Sequence, residues 1–192
     1  MSKKTDIIDA AISLFAQNGF AATPTTAIAK KAGVAQGLIF HHFVTKDGIL
    51  AETLVQLADK YISATAKIIK TSDNGLDAII KIVQFHFMFE SENTNELMVL
   101  LRDVPPVMNS HTIATDNALY ICIDQTIEQL IDCIKMGQED GSIRKNASFE
   151  SAFIIRALLN GLSRLHFTMP NKPHYRAIIF ETINFCRKNL EA

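Results

Sequence analysis

Residues 23–50 of the chain, TPTTAIAKKAGVAQGLIFHHFVTKDGIL, decide its fold. Thr23 is suited to an N-cap, and Pro24 to the first position of a short helix after it. Gly33 can adopt the left-handed conformation that ends this helix and allows a tight turn into a second short helix. Thr45 is suited to cap a third, much longer helix. The stretch therefore predicts a helix-turn-helix followed by a long helix.

Helical periodicity continues on both sides of this stretch. Ile7, Ala11 and Phe15 repeat at the spacing of one helix face, and no strand alternation of any length occurs. The sequence predicts an all-α chain with a three-helix head at the N-terminus and a helical body behind it. About nine helices are expected, up to residue 18 and then over about 24–32, 35–42, 45–69, 76–89, 96–103, 116–139, 149–167 and 174–189.

Composition favours a folded globular protein. The 192 residues are 48% hydrophobic and 20% charged, with a formal net charge of −1. Residues 1–48 carry a net charge of +2, while residues 49–192 carry −3. This asymmetry points weakly to a nucleic-acid face at the N-terminus.

Other sequence features bound the cellular context. Cys122, Cys133 and Cys186 are widely spaced in apolar stretches, which favours buried free thiols in a reducing cytoplasm over a zinc site. The N-terminus lacks the pattern of a signal peptide, and the longest uncharged run is broken by Pro24. We therefore expect a cytoplasmic protein without a membrane span, metal or cofactor.

The second short helix is expected to expose residues that suit DNA recognition. Leu38 and Ile39 would anchor this helix to the core, which leaves Gln36 and Gly37 facing outward. A glutamine can make two hydrogen bonds to adenine in the major groove, and a glycine allows the helix to approach the bases closely. Phe40 and His41 are expected on the same outward face.

Lys46 is placed unusually for a residue that only packs. It lies in the first turn of the long helix, where the helix macrodipole disfavours a cation. A DNA phosphate would resolve this conflict, because the helix N-terminus offers backbone N–H groups and Lys46 adds charge. The imidazole of His42, close by in sequence, can also donate to a phosphate.

The N-terminal quarter of the chain resembles the DNA-binding domain of the TetR family. The resemblance covers about residues 5–50 and rests on many spaced positions that agree at once. The matching pattern is Ile8-x2-Ala11-x2-Leu14-Phe15-x3-Gly19-Phe20-x2-Thr23-x4-Ile28-Ala29-x2-Ala32-Gly33-Val34-x2-Gly37-x2-Phe40-x-His42-Phe43-x2-Lys46-x3-Leu50.

This resemblance implies a DNA-binding domain over 1–62 and a ligand-binding and dimerisation domain over 63–192. It implies a ligand-responsive regulator, in the usual case a repressor that a small, mostly apolar molecule releases from its operator. The residues implied in DNA binding are Thr25, Thr26, Gln36, Gly37, Phe40, His41, His42 and Lys46. Among them, Thr25, His42 and Lys46 look like phosphate contacts, and Gln36 and Gly37 like base-facing positions.

The chain departs from the family pattern at three positions, one in this set and two beside it. Phe40 stands where the family usually has tyrosine, so the ring offers no hydroxyl to a phosphate. Ala35 replaces a common serine at the start of the second short helix, and Pro24 replaces a frequent threonine.

The last two predicted helices are apolar enough to be buried on two sides. Pairing them with the same helices of a second copy would form a four-helix interface, which matches the dimer that the resemblance implies. The alternative is that they only complete the core of one chain. The residues assigned to a dimer interface are Phe153, Ala157, Gly161, Leu165, Ile179, Ile183 and Cys186.

Bulky aromatic and methionine side chains in the body suit an apolar effector pocket, as the resemblance also implies. Ordinary core packing is the alternative for each of them, and Arg102 could equally be a surface residue instead of an anchor for an anionic group. The candidate pocket residues are Phe85, Met88, Phe89, Arg102, Met108, His111, Tyr120 and His166.

Two other classes of protein compete with this interpretation. An enzyme is disfavoured because the six histidines form neither an HExxH nor a His-x3-His pair, and no catalytic triad has a local signature. A purely helical interaction module would not need Gln36, Gly37 and Lys46 at DNA-facing places. The sequence therefore favours a homodimeric, non-enzymatic partner of double-stranded operator DNA and a small-molecule effector.

Overall fold

The computed structural model describes residues 2–108, 113–169 and 175–192. Over these residues the chain forms nine α-helices and no strand, which confirms the predicted all-α class. The helices are α1 (Lys3–Asn18), α2 (Thr25–Ala32), α3 (Gln36–Phe43), α4 (Lys46–Thr71), α5 (Gly75–Glu92), α6 (Thr94–Met108), α7 (Ile113–Asp140), α8 (Glu150–Thr168) and α9 (Tyr175–Leu190).

Of the two helix caps predicted from the sequence, the cap of α4 is confirmed and the cap of α2 is wrong. The hydroxyl of Thr45 accepts a hydrogen bond from the Gly48 N–H at 3.1 Å, so the cap predicted for the long helix is confirmed. Thr23 does not cap α2, because its hydroxyl is buried and donates to the Gly19 carbonyl at 2.7 Å. Pro24 is the N-cap residue instead, with extended backbone and no side-chain cap.

The helices α5 and α6 are longer than the sequence predicts. The polar residues after Phe89 were expected to form a loop, but α5 continues to Glu92. The prolines at 105 and 106 were expected to end α6 near residue 103, but the helix runs to Met108. A proline lacks the N–H donor, but its fixed φ is itself helical, so it does not always end a helix.

The chain divides into two compact units. Unit 1 comprises Met1–Asp59 and Asn93–Tyr120, and it joins α1, α2, α3 and the first part of α4 with α6. Its core is apolar and includes fully buried Ile7, Phe15 and Ile28. The unit is not the continuous 1–62 range, because α6 packs against α1. The functional division at residue 62 stays a prediction.

Unit 2 comprises Lys60–Glu92 and Ile121–Ala192. Its core forms where α5, α7, α8 and α9 pack together, with Ile79, Leu130 and Leu159 almost fully buried. The backbones of α5 and α7 approach so closely that a Cβ on Gly75 would lie 2.2 Å from the Gly137 nitrogen. None of the helices in the described part of the chain has the length and apolar character to cross a bilayer.

Candidate nucleic-acid interface

The turn between α2 and α3 is built around Gly33. This glycine has φ +63° and ψ +39°, the left-handed conformation that the sequence predicted. The Gly33 N–H donates to the Lys30 carbonyl at 3.3 Å, and the Val34 N–H donates to the Ala29 carbonyl at 3.0 Å. This pair of bonds is the Schellman motif, which satisfies the last carbonyls of α2 and fixes where α3 begins.

One face of α3 is buried and the other is open to solvent. Ile39 and Phe43 are buried in the unit 1 core, as the anchoring role predicted for this helix face requires. The rest of the helix surface exposes the α3 residues that the sequence assigned to DNA, with Phe40 47% exposed. The exposed members of that set are Gln36, Gly37, Phe40, His41 and His42.

Thr25 and Thr26, the first two residues of α2, lie beside this surface. Thr25 is half-buried, and its hydroxyl accepts a hydrogen bond from the Gln36 amide at 3.0 Å. Thr26 is exposed. The Thr25 contact links the start of α2 to the start of α3 and orients the Gln36 amide, the group suited to read a base edge.

Lys46 holds the loop between α1 and α2. Its ammonium donates to the carbonyls of Phe20, Ala21 and Thr23 at 2.7, 3.3 and 3.1 Å. The Nζ atom also lies 4.5 Å from the centroid of the Phe20 ring. An ammonium has three donors, and three carbonyls accept them here. The structure therefore gives Lys46 a clamping role that the sequence interpretation, which assigned it to a phosphate, did not include.

Arg102 also binds the end of α1. Its guanidinium donates to the Ala16 carbonyl at 3.0 Å and to the Phe15 carbonyl. The last turn of α1 has no basic residue of its own, so this cation from α6 stabilises the negative end of the helix. Arg102 lies in unit 1, where these bonds give it a structural role that the sequence interpretation did not include.

Val44 is an exposed apolar residue that the sequence interpretation missed. It follows α3 with φ +61° and is 74% exposed. The Thr45 N–H closes a tight turn around it by donating to the Phe43 carbonyl at 2.6 Å. Positive φ is strained for a β-branched residue, and no local sequence signal announces it.

Unit 2 has a polar cluster in its interior that links three helices. The Tyr61 hydroxyl of α4 lies 3.0 Å from His86 Nδ1 of α5, and His86 Nε2 lies 2.9 Å from Ser163 Oγ of α8. Ser163 gives its only proton to the Leu159 carbonyl at 3.0 Å. His86 must therefore donate from Nε2 to Ser163 and accept from Tyr61 at Nδ1.

Burial controls the protonation of this cluster. Desolvation, followed by the nearby Arg156 cation, lowers the pKa of His86 to about 3, so the ring is neutral at physiological pH. Desolvation also raises the pKa of Tyr61 to about 12. Both effects agree with the neutral His86 that the hydrogen bonds require.

The structure brings together only some of the candidate pocket residues. Phe85 and Phe89 both contact the Tyr61 ring, with centroids 5.4 and 5.1 Å apart. His166 is half-buried on α8 against Phe167. Met88 and Tyr120 point outward, with 51% and 62% of their surface exposed.

Two further pocket candidates, Met108 and His111, have side chains outside the described residues. The buried Arg156, Tyr61 and His86 were not among the candidates. The signal that could have found Arg156 is a single cation within the largely apolar stretch of α8 over residues 152–162.

The candidate dimer residues divide between an exposed face and the core. On α8, Phe153, Ala157, Gly161 and Leu165 are all exposed, and a Cβ on Gly161 would meet nothing within 4 Å. On α9, the assignment of Cys186 was wrong, because its side chain lies in the core of its own unit. The interface roles of Ile179 and Ile183 stay predictions. Cys186 is 1% exposed, and Ile179 and Ile183 are half-buried against that core. The apolar residues that α9 exposes are Phe180 and Phe185.

The described residues offer little support for metal or thiol chemistry. No group of three or more histidine, cysteine, aspartate or glutamate side chains among them is arranged to hold a metal ion. All three cysteines are buried, and desolvation raises the pKa of Cys133 to about 12 and that of Cys186 to about 11. Such thiols are inert rather than nucleophilic at neutral pH.

Comparison with solved structures shows where the fold occurs elsewhere. A putative transcriptional regulator from Saccharomonospora viridis, solved with choline, superposes with a TM-score of 0.86 at 19% identity, covering 98% of this chain and 97% of that one. The transcriptional regulator FadR from Bacillus subtilis, solved with stearoyl-CoA, gives a TM-score of 0.76 at 20% identity, covering 96% and 98%.

Sequence comparison also finds similarity to transcriptional regulators. The HTH-type transcriptional repressor KstR2 of Rhodococcus jostii (strain RHA1) is 24% identical over 153 residues, which cover 79% of this chain and 72% of the repressor. Residues 7–53 match the family model described as bacterial regulatory proteins, tetR family, and they contain α2, the Gly33 turn and α3. Over residues 7–53, the chain is thus similar to the tetR family of bacterial regulatory proteins.

Proposed function

We propose that this protein is a homodimeric transcriptional regulator that binds operator DNA through α3 and releases it when a small, mostly apolar effector binds. The observation that carries this proposal is the two-sided α3. It buries Ile39 and Phe43 and presents Gln36 and Gly37 to solvent beside Thr25. Any surface helix exposes one face, so the support comes from the residues that this face carries. Gln36 is suited to contact a base edge, and Gly37 allows close approach to the bases.

The dimer is supported by apolar surface that the chain leaves exposed. The α8 face of Phe153 and Leu165 and the α9 residues Phe180 and Phe185 are all about half exposed or more. Apolar patches on this scale mark interaction sites in soluble proteins. A dimer also suits DNA recognition, because one short recognition helix reads few bases and two of them read a palindrome.

An apolar effector is supported by the aromatic rings of unit 2. Tyr61, Phe85 and Phe89 contact one another beside the buried polar cluster. Regulators with the same fold have been solved with choline and with stearoyl-CoA. For this chain we propose an effector with a mostly apolar body and few polar groups.

Release from DNA follows if the effector changes the spacing of the two recognition helices. The chain of unit 1 continues into unit 2 through α4, which begins beside α3 and carries Tyr61 of the polar cluster. An effector that favours one spacing shifts the population toward it, and operator half-sites then fit only one head at a time. A crosslink that fixes the head spacing should abolish the response, and an intact response would contradict this mechanism.

The experiment that tests DNA binding starts from a pool of random duplexes. The full chain should enrich a palindromic sequence, and that duplex should shift in a retardation gel with an affinity that falls steeply as salt rises. An enzyme or a helical interaction module would enrich no sequence. Failure to retain any duplex, specific or nonspecific, at low salt would refute the proposal.

A further inference from the structure

The interior of unit 2 contains a cation whose donors are not all satisfied. The Arg156 residue of α8 is 9% exposed, and its Nε atom is buried with no hydrogen-bond partner among the described residues. Its guanidinium lies 5.5 Å from the centroid of the Tyr61 ring. Arginine stays charged in proteins, so loss of a proton does not relieve the cost of burying this donor.

The neighbouring polar groups leave this donor without an acceptor. His86 uses Nδ1 to accept from Tyr61, and Ser163 uses its hydroxyl to accept from His86 and donate to the Leu159 carbonyl. Glu90 is the buried carboxylate of the same cluster, with Oε1 3.6 Å from His86 Nε2. His86 and Ser163 therefore use their hydrogen-bonding groups on each other, on Tyr61 and on the Leu159 carbonyl. None of these groups accepts a hydrogen bond from the Arg156 Nε–H.

We propose that Arg156 binds the anionic group of the effector, which is therefore an amphipathic anion with a carboxylate or phosphate on a mostly apolar body. This inference rests on the proposed function and adds the charge of the ligand to it. The planar guanidinium is suited to carboxylate and phosphate oxygens, which accept its hydrogen bonds in pairs. The contacting rings of Tyr61, Phe85 and Phe89 supply apolar surface next to it.

The test uses probes that share one apolar body and differ in their head group. Binding of octanoate, octyl phosphate, octanol and octyltrimethylammonium to the full chain is measured by calorimetry, and alkanoates of six to twelve carbons cover other pocket lengths. We expect an anionic probe to bind about 10- to 100-fold more tightly than the matched alcohol, since a hydrogen bond to a charged group is worth this much. Comparing the affinities for octanoate and octyl phosphate then decides whether the site prefers a carboxylate or a phosphate.

Arg156→Met keeps the apolar volume and removes the charge. It should abolish the preference for the anion and leave octanol binding unchanged, whereas Arg164→Met, at an exposed arginine two turns further along α8, should change neither. An equal affinity of the unaltered protein for anion and alcohol at every chain length overturns the proposal. Preference for octyltrimethylammonium also overturns it and assigns the ligand contact to Glu90.

A second measurement covers the possibility that the protein itself neutralises Arg156. Without ligand, Arg156→Met should melt at the same temperature as the unaltered protein or higher, because it removes an unsatisfied buried donor. A large drop that Glu90→Gln reverses in the double variant shows that the two side chains pair, and it contradicts the proposal. Both variants are also tested on the enriched duplex. If the unaltered protein does not bind DNA, the result contradicts the proposed function but does not contradict the Arg156 site.

Discussion

Units 1 and 2 distribute polar and apolar groups in opposite ways. Unit 1 has an apolar interior, and its surface at α3 exposes the polar side chains of Gln36 and His41 beside Phe40. Unit 2 buries a tyrosine, a histidine, a glutamate and an arginine while it exposes Phe153 and Phe180. Exposed polar groups suit a partner that is itself hydrated and charged, as DNA is.

The unit 2 arrangement is costly for an isolated chain. Buried polar groups need hydrogen-bond partners, and apolar area that stays exposed does not contribute to stability unless another surface covers it. We therefore expect unit 2, more than unit 1, to gain stability from a second copy and from a ligand. Four changes to the chain or its conditions test this difference between the units.

Disrupting the exposed apolar face of unit 2 should have the largest effect. The double variant Phe153→Glu and Phe180→Glu places charges where a second copy would pack, so the protein should become monomeric in sedimentation experiments. Affinity for the enriched duplex should fall by about 10²- to 10⁴-fold, because the avidity of two linked heads is lost. Val55→Glu, at an exposed apolar residue of α4, is the control. A monomeric variant with undiminished affinity would show that DNA binding does not need the dimer.

Removing the Lys46 clamp should weaken unit 1. Lys46→Met loses three carbonyl contacts and the contact with the Phe20 ring, so the free energy of unfolding should fall by about 2 kcal/mol. Urea denaturation measures this, with Lys30→Met on the exposed face of α2 as the control. If stability is unchanged while DNA affinity falls, Lys46 serves the phosphate role predicted from the sequence and not the clamp.

Changing the α3 surface should alter DNA recognition without affecting the fold. Gln36→Ala removes a candidate base contact, so affinity for the enriched duplex should fall by about 1–3 kcal/mol and selectivity at one base position should relax. Gln125→Ala, at an exposed glutamine of α7, is the matched control. Equal anisotropy titrations for the two variants would remove Gln36 from the interface.

The buried His86 should make stability depend on pH. Its pKa falls from 6.5 to about 3 on folding, so between these pH values the unfolded chain binds a proton that the folded chain does not. Stability should therefore decrease as pH falls through this window, with His86 contributing a slope of about 1.4 kcal/mol per pH unit. His86→Gln should lack this part of the slope in urea denaturation, and exposed His41→Gln should keep it. Identical slopes for the two variants would contradict the neutral, buried histidine.

Local chemistry allowed the fold to be predicted in outline. Gly33 and the Thr45 hydroxyl act on backbone groups within a few residues, and they end and begin a helix as the sequence indicates. The outward position of Gly37 and His41 was likewise predictable, because helical periodicity places both on the side of α3 away from Ile39. Periodicity did not reveal which of two apolar stripes faces a partner, so Cys186 was assigned outward although it lies in the core.

The roles that the sequence did not predict depend on contacts between residues far apart in the chain. Arg102 binds carbonyls 86 and 87 residues away, and Lys46 reaches back across α2 and α3. Nothing near either residue announces these partners. The role of Arg156 could not be predicted for the same reason, since its burial and its unsatisfied Nε depend on how α4, α5 and α8 pack.

Hydrogen–deuterium exchange of the full chain, with and without the enriched duplex, tests the central claim most directly. The account predicts that the duplex slows exchange over residues 24–47, which contain α2, α3 and the start of α4. It also predicts that the amides of α5 and α9 exchange as before. Protection confined to unit 2, with residues 24–47 unchanged while the duplex is bound, would contradict the assignment of DNA recognition to the exposed face of α3.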